Sequence, residues 1–208
     1  RPSAARPYDP DEVDHIAAGC ELLRDATLVY VAAYSGLRWS ELCALEWADV
    51  DLRDATIELT RALDMDGTTK PPKSGADRIV PVLQPGIEAL RQWRTHAPDT
   101  QLVFPDENGG PLRSNWYRHD RSTIEVTSED RNLGRIRKAC GITFEPHQLR
   151  DTYASLLIQS GIGEAELTLW LGHRSIETTL RRYGKLFERR TTALASKANE
   201  LIGTLRAS

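Results

Sequence analysis

Apolar positions recur at helical spacing through HIAAGCELL and DATLVYVAAYS, from a polar start at Asp9-Pro10-Asp11-Glu12 to Gly36. The start has the form of a helix N-terminus: a side chain that caps, a proline whose missing N–H costs nothing in the first turn, and an acid placed to bond back to the cap. Gly36 is a good stop, and SELCALEW resumes the period for about two turns, which puts Arg38 at a turn between helices. The pattern then changes. TIELTRAL (56–63) is rich in β-formers, Asp66-Gly67 is a hairpin signal, and the loop KPPKSGAD leads into the short strand RIVPV. This predicts a small antiparallel sheet with Lys70 and Lys73 near a loop.

Pro85 opens another helix through GIEALRQWRTHA, PDENGGPL is turn chemistry, and helical character returns from about Asn115. HQLRDTYASLLIQSG, EAELTLWLG and IETTLRRYGKLF read as three short helices, the first two ending at Gly161 and Gly172. They deliver His147, Arg150, His173 and Tyr183. From Thr191 the tail sets Leu194, Ala198, Leu201, Ile202 and Leu205 at helical spacing, and Gly203 weakens that helix by about 1 kcal/mol relative to Ala. The expected fold class is α+β, mainly helical, with a small antiparallel β-sheet. Residues 1–8 read as a linker, 9–190 as one domain and 191–208 as a C-terminal amphipathic tail.

Composition narrows the function classes. A chain of 208 residues with 40% apolar content can bury a sizeable core. No stretch approaches the roughly 20 apolar residues of a membrane span, and RPSAARPYDP has no hydrophobic signal region, so a soluble protein without membrane contact is expected. The first residue is not Met, from which a fragment of a longer protein is expected. Cys20, Cys43 and Cys140 are odd in number and lack CxxC spacing, which argues against a disulfide framework or zinc ribbon and fits a reducing cytosol. The five histidines fall in no HxxxH or HExxH pattern, so neither metal nor cofactor is expected.

The net charge of −3 counts against a nucleic-acid partner when taken alone. Its distribution says more. Residues 1–66 hold six arginines against fourteen acids, a balance of −8, which leaves +5 for the remaining 142 residues. The positive charge gathers at Arg113–Lys138 and Arg174–Arg190, an asymmetry compatible with a basic groove opposite an acidic back. A solvated helix face explains either run nearly as well on charge alone.

Arg38 follows a helix-ending glycine, and Arg150 lies three residues after His147 on nearly the same helix face. Each planar guanidinium can grip two nonbridging oxygens of one phosphate, so two of them form a clamp for a phosphodiester. Considered singly, each is ordinarily a surface arginine paired with a nearby acid such as Glu41 or Asp151. With Lys73, His147, His173 and Tyr183 they make up the parts for attack on a phosphodiester: a phenol attacks, Arg and His stabilise the equatorial charge, and a lysine protonates the leaving oxygen. A phenol near pKa 10 needs cationic neighbours to ionise at neutral pH. Arg181 and Arg182 are near in sequence, but positions i−1 and i−2 point away on a helix, so the clamp arginines are the better candidates. A lone Tyr is ordinarily just a half-buried aromatic.

The stretches SGLRWSELCALEWADVDL, PPKSGADRIVPV, PHQLRDTYASLLIQSG and LGHRSIETTLRRYGKL, in that order, resemble the tyrosine site-specific recombinases, or phage-type integrases, over most of residues 10–190. The resemblance implies that Arg38 is the first clamp arginine, His147 and Arg150 the His-x-x-Arg pair, Lys73 the hairpin lysine, His173 the position filled by His or Trp, and Tyr183 the nucleophile. Lys73 is preferred over Lys70 because PKS followed by RIVP matches the family pattern. Asp151 stands where the family often has another His. The implied chemistry is a 3′-phosphotyrosyl bond with release of a 5′-hydroxyl, resealed without ATP. The family's separate helical DNA-closing domain is not seen in this sequence, so it reads as the catalytic domain alone.

The implied partners are double-stranded DNA, a homo-tetramer on recombining sites formed from monomers, and accessory DNA-bending proteins. The implied setting is integration or excision of a phage or mobile element in the bacterial cytoplasm or nucleoid. Two rivals share parts of this reading: a type IB topoisomerase, which reseals the same strand, and a DNA-binding module without catalysis. A purely structural helical protein is a third.

Overall fold

Asp9 opens the first helix, α1 (Pro10–Ala18), with a full capping box: Glu12 N–H donates to the Asp9 carboxylate and Asp9 N–H donates to the Glu12 carboxylate. The computed structural model describes residues 6–64, 67–72, 77–112 and 146–207, and element numbers here count those residues only. It divides into two units, the break falling between Tyr153 and Ala154. The period that ran unbroken to Gly36 covers two helices, because Gly19 N–H bonds back to His15 and Ile16 and closes α1; α2 (Leu23–Ser35) then restarts. The two helices pack together with Val13 and Ile16 facing inward on one and Leu28 and Val31 on the other. Both keep an apolar face, so periodicity alone did not reveal the break.

The segment after Arg38 is shorter as a helix than its pattern suggested. α3 is the single turn Trp39–Leu42, followed by an irregular stretch and a 3-10 turn at Trp47–Asp49. Leu42, Cys43, Ala44 and Leu45 are all 1% exposed or less. Four successive residues cannot all lie on one face of a helix, and leaving helical conformation lets each find cover.

The sheet joins β1 (Val50–Asp51), β2 (Thr56–Leu59) and β5 (Arg78–Pro81), antiparallel in the order β1-β2-β5. Ile57 pairs with Val80 on the buried face, while Glu58 pairs with the exposed Ile79 on the other. TIELTRAL is therefore not one strand: β3 (Ala62–Leu63) pairs with β4 (Thr69–Lys70) in a separate ribbon, closed by Gly67 at φ 86°. α4 (Gln84–Arg94), with proline in its first turn, packs on α2. In PDENGGPL the Asp106 carboxylate accepts from the N–H groups of Asn108 and Gly110, as turn chemistry requires. Tyr8, in the stretch read as linker, is buried and donates its N–H to Thr152 Oγ1.

The last three helices are α5 (Pro146–Ser160), α6 (Glu164–Leu171) and α7 (Ile176–Ala207). α5 and α6 end at Gly161 and Gly172 as expected. The tail is not a separate helix: α7 runs 32 residues without interruption, since no proline occurs in it and Gly184 meets open space. Among the described residues no helix is long and apolar enough to cross a membrane. The expected helical stretch from Asn115, the basic run Arg113–Lys138 and Cys140 lie outside the described residues.

Candidate active site

Gly36 ends α2 in the left-handed region at φ 65°, and a Cβ placed on it would lie 2.3 Å from the Tyr153 ring. Only glycine fits that corner. The Tyr153 hydroxyl in turn donates to Pro81 O at 2.8 Å, tying α5 to β5. The Gly36 carbonyl accepts a hydrogen bond from Arg150 Nη1, so the residue that turns the chain toward Arg38 also holds Arg150. Arg38 is the N-cap of α3, and its backbone N–H donates to the Glu41 carboxylate at 2.8 Å. Its Nη1 donates to the same carboxylate at 2.7 Å.

Glu41 is the hub of this corner. Its side chain is 1% exposed, and its second oxygen accepts from Arg78 Nη2 at 2.7 Å, itself on a side chain 3% exposed. Burial alone would push the Glu41 carboxyl up. The charge and hydrogen bond of Arg78, with the charges of Arg38 and Arg150, outweigh that and hold it below the ordinary carboxylate range. Three guanidiniums thus act on one carboxylate. Arg38, with a side chain 23% exposed, is the member nearest solvent. Arg38 is thus paired with a local acid through Nη1, as the reading of a single arginine anticipated.

His147 sits exposed in the first turn of α5, one turn from the buried Arg150. Lys73 lies outside the described residues. Lys70, its competitor, is on β4 with its ammonium on Asp64. Asp151 is buried.

In the second unit, His173 and Tyr183 come together: their rings stack at 6.4 Å between centroids, 9° from parallel. Tyr183 is 3% exposed, on the buried side of α7 with Thr179 and Phe187, rather than half-buried on a short helix. Arg182, expected to point away, folds its guanidinium to 5.8 Å from the Tyr183 ring centroid. A long flexible side chain overcomes the angular separation of adjacent helical positions. His173 Nδ1 is 2.9 Å from the hydroxyl of Thr179, a residue that is fully buried.

Arg78, the Gly36 carbonyl and Thr179, which contact the candidate residues or their partner Glu41, escaped the sequence reading, and Glu41 was named there only as a nearby acid. Glu41 had a signal, an acid three residues after an arginine at a helix start. Arg78 is 37 residues from Glu41, and nothing local marks a buried arginine in a strand. Among the described residues no group of three or more His, Cys, Asp or Glu side chains converges as a metal site would.

Comparison with known proteins gives a consistent set of likenesses. The model of the phage integrase family matches residues 8–190. Tyrosine recombinase XerC of Xanthomonas axonopodis pv. citri (strain 306) is 33% identical over 159 residues, covering 76% of this chain and 45% of the relative. The crystal structure of XerA recombinase superposes with a TM-score of 0.68 at 23% identity, covering 95% of this chain and 66% of the other. A lambda integrase tetramer bound to a Holliday junction gives 0.57 at 21% identity, covering 83% and 48%. The chain spans about half the length of the curated relatives it matches.

Proposed function

The chain belongs to the phage integrase family, and from that premise we propose that it breaks and rejoins DNA strands in site-specific recombination, with Tyr183 as the nucleophile. The Tyr183 oxygen bonds the scissile phosphorus, the bond to the 5′ oxygen breaks, and a 3′-phosphotyrosyl ester remains. Arg38 and Arg150 grip the nonbridging oxygens, His147 and His173 add hydrogen bonds to the developing charge, and Lys73 gives its proton to the departing 5′ oxygen. Attack by another strand's 5′-hydroxyl reverses the chemistry. The expected setting is the integration or excision of a phage or mobile element in the bacterial cytoplasm, by four copies on two DNA sites with DNA-bending accessory proteins.

The observation that carries this reading is the corner at Gly36–Glu41. A carboxylate that only neutralised a neighbour would need one guanidinium. Three act on Glu41, and Arg38 is the one of them nearest solvent, open to an approaching phosphodiester. We further propose that residues 191–208 dock on a neighbouring copy. Phe187 is buried and Arg190 donates to Ile162 O, whereas Thr191 through Ser196 are all exposed.

The test is capture of the covalent adduct on a nicked half-site duplex. Wild type should become covalently attached to the 3′ end. Tyr183→Phe keeps the ring and its packing and should fold and bind DNA without forming any adduct. An adduct from the Phe variant would overturn the assignment.

A further inference from the structure

α6 ends in a Schellman turn: Gly172, left-handed at φ 61°, donates its N–H to Leu169 O, and His173 donates its N–H to Thr168 O. The turn brings the His173 ring beside two threonine hydroxyls. Thr168 Oγ1 is 2.6 Å from Glu164 O, Thr179 Oγ1 is 2.7 Å from Thr168 Oγ1, and His173 Nδ1 is 2.9 Å from Thr179 Oγ1.

Proton counting gives this chain a direction. A carbonyl oxygen only accepts, so the one hydroxyl proton of Thr168 goes to Glu164 O. Thr168 can then only accept from Thr179, and that contact uses the one hydroxyl proton of Thr179. Toward His173, Thr179 has only a lone pair to offer, so the ring proton must be on Nδ1. The reverse, with Thr179 donating to Nδ1, would leave two hydroxyl oxygens 2.7 Å apart with no proton between them unless Thr168 released its carbonyl. Thr179 is 0% exposed, so solvent does not rescue that arrangement.

We propose that Thr168 and Thr179 are positioning residues that hold neutral His173 as the Nδ1–H tautomer, making Nε2 a proton acceptor. The consequence for strand exchange rests on the function proposed above. The neutral ring takes the proton of an attacking hydroxyl onto Nε2. The resulting imidazolium, its Nδ1–H still on Thr179, then donates Nε2–H to a phosphate oxygen. A neutral ring with Nε2–H would instead donate from the outset and accept nothing at that atom.

The tautomer is read by two-bond proton–nitrogen correlation on the full chain labelled with ¹⁵N-histidine, at a pH where the ring is neutral, with the His173 signals identified by their loss in His173→Gln. Wild type should show a protonated Nδ1 and an unprotonated Nε2; the opposite pattern overturns the proposal. Thr179→Val removes the acceptor at nearly constant volume and should move the proton to Nε2, while Thr179→Ser restores the original pattern. Thr168→Val acts by a second route, freeing the Thr179 proton to donate to Nδ1, and should also move the ring proton. A tautomer unchanged in both valine variants overturns the positioning role. On the nicked duplex, Thr179→Val should form adduct slower by on the order of 10²-fold, and Thr179→Ser near wild type. An Nδ1–H wild type that never forms an adduct on any duplex would refute the recombinase chemistry and leave the tautomer assignment standing.

Discussion

At the scale of single residues, the corner around Glu41 shows how a buried carboxylate can serve an arginine that faces outward. Arg38 has one edge of its guanidinium on Glu41. Lysine at position 38 keeps the charge but not the planar two-point grip of a guanidinium, so Arg38→Lys should slow adduct formation by on the order of 10²-fold or more while DNA binding persists. Near-wild-type cleavage would reduce Arg38 to a partner of Glu41 alone. Glu41→Gln is the complementary experiment. It breaks the buried Arg78–Glu41 pair, and breaking such a pair should cost roughly 3–5 kcal/mol of unfolding free energy at neutral pH. The Glu41 pKa is held below its ordinary 4.5, so its contribution is present above that pH and is lost as the pH falls through the lower folded value. Urea unfolding should show the gap between wild type and Glu41→Gln closing only below about pH 4.5; a gap that is flat with pH would mean the carboxylate's charge is not what matters.

At the scale of elements, one glycine and one tyrosine join two segments far apart in sequence. Gly36→Ala places a methyl on a left-handed residue and against the Tyr153 ring, a strain of about 1–2 kcal/mol for the backbone alone, before any clash is relieved. We expect a lower urea midpoint together with slower cleavage, because the Gly36 carbonyl that holds Arg150 moves with the strained backbone. Loss of stability with full cleavage would separate the corner from the clamp. Gly36 was legible as a helix stop, as were the Asp9 cap, the hairpin near Gly67 and the glycine ends of α5 and α6, because each depends on backbone preferences of a few adjacent residues. What could not be read were features set by packing at a distance: the break at Gly19 inside a continuous apolar period, the division of TIELTRAL between two sheets, and the burial of Leu42 through Leu45 on all sides. The same limit applied to the candidate site. Arg38, His147, Arg150, His173 and Tyr183 could be singled out as candidates from their types and from the motifs that resemble the family, whereas Arg78 and Thr179 make contacts that only the folded chain brings about.

At the scale of the whole molecule, the longest element raises the last question. α7 carries Tyr183 and then continues for 24 residues to Ala207, far beyond Phe187 and Arg190, the last anchors it has among the described side chains of its own unit. Leu194 and Ile202 are 55% and 48% exposed, and a helix that leaves apolar side chains in water gains nothing from folding them there. In the docking proposed above a neighbouring copy supplies the cover, and the order of the segments makes it separable from catalysis, since Tyr183, the proposed nucleophile, lies before the exposed part. Deleting residues 191–208 should therefore leave covalent attachment to a single half-site duplex within a few-fold of wild type, yet abolish assembly of the multi-copy complex and the recombinant products that require it. Electrophoretic mobility of the protein–DNA complexes and adduct formation, measured on the same samples, read the two properties independently. A truncated chain that unfolds would mean the exposed stretch supports its own domain, and one that still assembles would show that copies meet through another surface.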